Sequence, residues 1–297
     1  MFKPVLVALL CLAQLSVGVV ASSSYNGSRC GIVTPDLSER LRIEKDFVNR
    51  RTALRKDQRL KAASLPVYFH IISEDESREG GNLPDDMITQ QLDVLNQDYA
   101  GSGVSFHLDN VTRTVNPEWY RKVYGDNQQN TDMISSLRVG GPEALNIFTV
   151  GFVEPPPKQP QLLGYATFPW NYNDRPDIDG VVMLGETMPS GTASPYNLGK
   201  TATHEVGHWV GLWHTFQTDD NKPKCEYGNG DFVADTPLQN GASSGCPTGR
   251  DSCPDDSGLD PIHNFMDYSD DDCLTEFTPG QVDRFLDQIA TYRGVAA

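Results

Sequence analysis

The 297-residue chain is long enough to bury a substantial core, which excludes a mini-protein held together by cross-links alone. Lys and Arg number 24 against 40 Asp and Glu, a formal charge of −16 that argues against a nucleic-acid backbone as partner. With 38% hydrophobic and 22% charged residues the composition is otherwise that of an ordinary globular protein.

Residues Met1 to Ala21 begin with one Lys, continue with an apolar run from Val5 to Leu15 and end on Val19-Val20-Ala21. This pattern predicts a secretory signal peptide over 1–21, and the apolar run is too short for a membrane anchor. A secreted, extracellular protein without membrane attachment is expected. The sequons at Asn26 and Asn110 are compatible with glycosylation on that route. Residues 22–64 hold ten Lys/Arg and five Asp/Glu, a surplus of +5, whereas residues 65–297 hold 13 and 35, a deficit of −22. The first stretch therefore reads as a basic prosegment that docks on an acidic domain spanning 65–297. Glu39 to Ala63 has helical composition and contains the basic pairs Arg50-Arg51 and Arg55-Lys56, where processing could occur.

The pattern then changes to alternating strands and helices. Leu65–Ile72 alternates apolar and polar residues as a strand does, and Pro84–Tyr99 has apolar residues at helical spacing. Val104–Val111 and Ala144–Val150 read as strands, Leu163–Trp170 as an edge strand bounded by prolines, and Gly180–Leu184 as a short apolar strand. Thr278–Arg293 opens with a capping Thr and continues as a helix. This mixture predicts an α+β fold.

The chemistry is concentrated in His204-Glu205-Val206-Gly207-His208-Trp209-Val210-Gly211-Leu212-Trp213-His214, which holds three of the six histidines. On a helix, residues four apart lie one turn and about 40° from each other, so His204 and His208 can face one ion. Were the helix to continue, His214 would point elsewhere. Gly211 readily takes the left-handed conformation that ends a helix, and the chain can then bring His214 back as a third ligand. Three neutral imidazoles and an open position suit a catalytic zinc, whose water Glu205 is placed to deprotonate for attack on a peptide carbonyl. His70, His107 and His263 are read as ordinary structural histidines.

His204 to His214 resembles the extended HExxHxxGxxH signature of metzincin zinc proteases, and Asn264-Phe265-Met266-Asp267-Tyr268-Ser269 resembles their methionine turn. That resemblance implies that Met266 forms an apolar floor under the imidazoles and that Tyr268 steadies the oxyanion. Gly230 to Pro237, Gly245-Cys246-Pro247 and Asp271-Asp272-Cys273 are similar to the pappalysin branch, particularly secreted fungal metalloproteases and the ulilysin type. The resemblance implies a zincin-like fold: a mixed twisted sheet with the active-site helix in an upper subdomain, and an irregular disulfide-stapled lower subdomain with a C-terminal helix.

Outside the signal peptide there are five cysteines. Cys225, Cys246, Cys253 and Cys273 allow three pairings, of which the resemblance favours Cys225–Cys253 with Cys246–Cys273. The odd one, Cys30 in the prosegment, would keep a zymogen latent by placing its thiolate on the open zinc position, as the cysteine switch of metzincin precursors does. Between His214 and Thr278 there are fourteen Asp/Glu and three Lys/Arg, and the oxygen-rich turn with Asp231, Asp235 and Thr236 has the character calcium prefers, which the resemblance also implies. Asp272 falls in the segment that walls the S1′ pocket in this family and would favour a basic residue after the scissile bond in protein or peptide substrates. The expected protein is a monomeric secreted zinc endopeptidase. A zinc-dependent amide hydrolase of small substrates and a non-catalytic zinc- and calcium-stabilised binding protein are the alternatives.

Overall fold

The computed structural model describes residues 28–32, 35–51, 63–217, 225 and 230–295. The signal peptide 1–21, Asn26 and the basic pair Arg55-Lys56 lie outside the described residues. Six strands, β1 (Ser28–Cys30), β2 (Ala63–Ser73), β3 (Val104–Val115), β4 (Leu145–Val150), β5 (Leu162–Ala166) and β6 (Val181–Leu184), form one mixed sheet in the order β1-β5-β6-β4-β2-β3. All adjacent pairs are parallel except β5 with β6. Among the described residues six α-helices accompany them: α1 (Leu37–Arg50), α2 (Asp85–Asp98), α3 (Pro117–Lys122), α4 (Gln128–Leu137), α5 (Lys200–Trp209) and α6 (Pro279–Tyr292).

The central strand β4 is buried at every position, which its continuous apolar character foreshadows, because both sheet faces are covered. On one face Val67, Phe69 and Ile71 of β2 pack with Met87 and Leu95 of α2, Val206 and Trp209 of α5, and Phe285 and Ile289 of α6. On the other, Phe148 and Val182 meet Met133 and Ile134 of α4. Burying a Val, Ile, Leu or Phe side chain stabilises by about 1.5–3 kcal/mol, so this double-sided packing fixes the sheet from which the site is built.

Of the stretch Glu39–Ala63, whose composition reads as helical, residues 52–62 lie outside the described residues. α1 runs from Leu37 to Arg50 because Asp36 caps it by accepting from the Glu39 amide, and Ala63 and Ser64 instead begin β2, paired with Val104 and Ser105. The final helix starts where its cap predicts, Thr278 and Gln281 forming a reciprocal capping box. The segment after the site is irregular and joined by Cys225–Cys253 and Cys246–Cys273.

Candidate metal and catalytic site

Helix α5 is buried along nearly its whole length and is held from both ends. At its start Asp98 accepts from Lys200 Nζ and Thr203 Oγ1, each at 2.6 Å, and at its end Gly211, with φ +104°, reverses the chain. The Gly211 amide donates to His208 O and the Leu212 amide to Gly207 O, both at 2.9 Å, the two bonds of a Schellman cap. This turn brings His214 beside His208.

The imidazoles converge. His208 Nε2 lies 3.1 Å from His204 Nε2 and 3.0 Å from His214 Nε2, and all three residues are buried. His204 Nδ1 is 2.7 Å from Phe265 O and His208 Nδ1 is 2.8 Å from Leu212 O. A carbonyl only accepts, so those Nδ1 atoms carry the protons and the Nε2 lone pairs of His204 and His208 face inward. Burial lowers the pKa of all three, that of His208 to about 3, which keeps the rings neutral and able to ligate. Inward-facing lone pairs this close repel unless a cation lies among them, and an all-imidazole set suits zinc. The donors present therefore fit the metal.

Around them stand the other expected residues. Cys30 Sγ and the three histidine nitrogens lie within 4.8 Å of one another. Glu205 is fully buried; Oε2 accepts from the Cys30 thiol at 3.4 Å, while Oε1 has no hydrogen-bond partner. Burial pushes the Glu205 carboxyl up to about 8. Tyr268 Oη is 3.3 Å from His214 Nε2 and 3.4 Å from the Cys30 carbonyl. Met266 packs beneath the helix so closely that a methyl group on Gly207 would sit 2.4 Å from its sulfur, so glycine at that position is a packing requirement. Gly164 in β5 plays the same part above, since a Cβ there would lie 2.9 Å from Glu205 Cγ.

Asp272, expected to favour a basic residue after the scissile bond, has a buried neighbour in Asp271. Asp271–Cys273 forms a 3₁₀ turn, whose side chains step by about 120°, leaving Asp272 exposed and Asp271 buried. Asp271 Oδ1 accepts from Arg29 Nη2 at 2.8 Å, and Arg29 Nη1 donates to Ser269 O. The Asp271 carboxylate also receives the Leu198 amide at 2.9 Å, fixing the loop before α5.

Asp231, Asp235 and Thr236 line one pocket of about 570 Å³. Asp231 is buried and burial raises its pKa to about 7, whereas Asp235 accepts from Thr278 Oγ1 and the Gly280 amide, at 2.7 and 2.8 Å, and so braces the start of α6. Cys246, His263 and Cys273 also cluster, but the two sulfurs are already bonded to each other. Sequence reasoning missed Arg29, Asp271, Gly164 and the carbonyls of Phe265 and Leu212. The carbonyls carry no side-chain signature, but the glycine in an apolar strand could have flagged a close approach.

Residues 161–290 match the family described as pregnancy-associated plasma protein-A, peptidase family M43. An extracellular metalloprotease of Pyricularia oryzae is 46% identical over 236 residues, covering 79% of this chain and 78% of its own. The chain belongs to the pappalysin family of metzincin metalloproteases. A second extracellular metalloprotease, from Verticillium alfalfae, is 40% identical with 99% of both chains aligned. Among solved structures, a mutant promirolysin of Tannerella forsythia aligns with TM-score 0.70 and 26% identity over 89% of this chain and 95% of its own. The mature mirolysin of that organism, in complex with a cleaved peptide, aligns with TM-score 0.62 and 29% identity over 75% and 90%. As a pappalysin the protein is a secreted metalloendopeptidase with the α+β metzincin fold, acting on protein or peptide substrates. Membership implies zinc as the metal.

Proposed function

We propose that the protein is a zymogen-derived zinc endopeptidase in which His204, His208 and His214 hold the metal, Glu205 is the general base and Tyr268 steadies the oxyanion. The observation that carries this reading is the convergence of three Nε2 atoms beside a buried carboxylate whose Oε1 has no partner. A zinc ion there supplies Lewis acidity, polarising the scissile carbonyl and acidifying water. Glu205 then takes the proton of the attacking water and passes it to the leaving amine. The Tyr268 hydroxyl, beside His214, donates to the developing oxyanion. A small-substrate amide hydrolase would not need an open sheet edge, yet β5 accepts an extended segment, β1, along its length. A structural zinc site would not need Glu205. Casein hydrolysis by the processed protein should cease with phenanthroline and return with added zinc; activity that survives complete metal removal would sink the reading.

Residues 1–21 are proposed as signal peptide, 22–64 as prosegment and 65–297 as catalytic domain, secreted as a monomer and glycosylated at Asn26 and at Asn110, which is exposed on β3. The prosegment reading is supported by Cys30 lying among the metal-site histidines, where its sulfur would occupy the open coordination position, and by the greater coverage of promirolysin than of the mature enzyme. Cys30→Ala is expected to give a precursor that activates prematurely, gaining peptidase activity sooner than the native precursor. Unchanged latency, measured on a peptide before any cleavage, would remove Cys30 from the mechanism.

The preference for Lys or Arg after the scissile bond is proposed to reside in Asp271, supported by the seating of Arg29, the neighbour of Cys30, on that carboxylate. Calcium is proposed at Asp231, Asp235 and Thr236, supported by the buried carboxylate of Asp231 on the wall of the pocket that Asp235 and Thr236 also line. Chelation by EGTA at fixed zinc should then lower the melting temperature by several degrees; an unchanged transition would rule the ion out.

A further inference from the structure

Helix α1 covers a surface of unusual composition. Its face of Ile43 and Phe47 is buried, and Ile43 packs with Phe168 and Trp213, against which Trp170 also lies. The three rings form one shelf, with centroids 4.3 Å apart for Phe168 and Trp170, 5.0 Å for Trp170 and Trp213 and 4.8 Å for Phe168 and Trp213. At its margin Glu44 of α1 accepts from Trp213 Nε1 and from Arg284 Nη1, both at 2.9 Å. Phe47 lies under the Arg284 guanidinium, 5.6 Å from it.

The shelf is continuous with the site. Phe168 follows the end of β5 by two residues and its ring is 5.4 Å from that of His208, while Trp213 immediately precedes His214. Arg284 also donates through Nε to Gly211 O, at 3.1 Å, in the turn that returns the third histidine. A peptide extended along β5 beyond the metal therefore runs onto three aromatic rings and a guanidinium. Removing α1 would strip Arg284 of its carboxylate partner in a domain with 35 acidic against 13 basic residues, and would leave the rings open to water.

We infer that the surface vacated by α1 is a substrate-docking subsite of the mature enzyme, selecting segments in which an aliphatic residue and an adjacent carboxylate are followed three residues later by an aromatic ring, the pattern of Ile43-Glu44 and Phe47. This rests on the reading of residues 22–64 as a prosegment. In the precursor α1 occupies the subsite; in the mature enzyme a substrate segment of the same chemistry fills it.

The test uses activated enzyme and three fluorogenic peptides sharing one cleavable core: the core alone, and the core extended at its N-terminus or at its C-terminus by residues 37–51. One extended peptide should show a KM about tenfold below that of the core, with kcat little changed, as burial of an aromatic side chain and one charge-assisted contact predict. Glutamine in place of the peptide's Glu44, or Trp170→Ala in the enzyme, should bring the ratio of extended to core KM close to one. Equal KM values for all three peptides with the native enzyme overturn the proposal. N-terminal sequencing that finds residues 37–51 retained in the active enzyme overturns it by a different route, through the prosegment reading on which it rests.

Discussion

Replacing Glu205 by glutamine is expected to lower kcat/KM on peptide substrates by about 10³-fold or more while leaving the fold intact, because the variant keeps the shape of the side chain and loses only its capacity to take a proton. The carboxylate is buried against Gly164 of β5, and its Oε1 has no hydrogen-bond partner. A neutral isostere removes the cost of burying a charge, so the melting temperature of the variant should be no lower than that of the native enzyme. The combination separates catalysis from structure. Activity within tenfold of the native level, at equal metal content, would mean that another group accepts the proton.

Asp271→Asn is expected to erase selection for a basic residue after the scissile bond. Truncating one partner of a buried ion pair typically costs 2–5 kcal/mol, so the ratio of kcat/KM for Arg over Leu at that position should fall by about 10²-fold. Asparagine retains an oxygen that can accept the Leu198 amide, which limits the damage to the loop before α5. The matching substitution at Asp272 should leave the ratio as it is, since that side chain is exposed. Reversal of the two outcomes would return the selector to Asp272.

Why the histidines are legible in sequence and the inward carboxylate is not is a matter of periodicity. His204 and His208 sit on a helix, where four-residue spacing dictates a common face, and Gly211 announces the reversal that returns His214. Asp271 and Asp272 sit in an irregular turn whose inward side depends on the disulfide at Cys273 and on Arg29, distant in sequence by 242 positions. Strands β2 and β4 are legible because their apolar patterns reflect covered faces, and β3 at its start, where Val104 and Phe106 are buried. β1, three residues long, has no pattern to read and acquires its conformation only by pairing with β5. The Glu44–Arg284 pair, spanning 240 positions, likewise follows from the way α1 folds across α6. The opposed charges of residues 22–64 and 65–297 point to docking between these parts, but not to the particular contacts: Arg29 on Asp271 and Glu44 on Arg284.

The central claim is that the three histidines bind one zinc whose fourth position is taken by Cys30 in the precursor and opened on maturation. X-ray absorption at the zinc edge of the secreted precursor and of the processed enzyme tests it directly. One zinc per chain is predicted, with three nitrogen ligands and one sulfur ligand in the precursor, and three nitrogens and oxygen only after processing. A precursor zinc without a sulfur ligand, or one whose ligands are the same before and after processing, would contradict it.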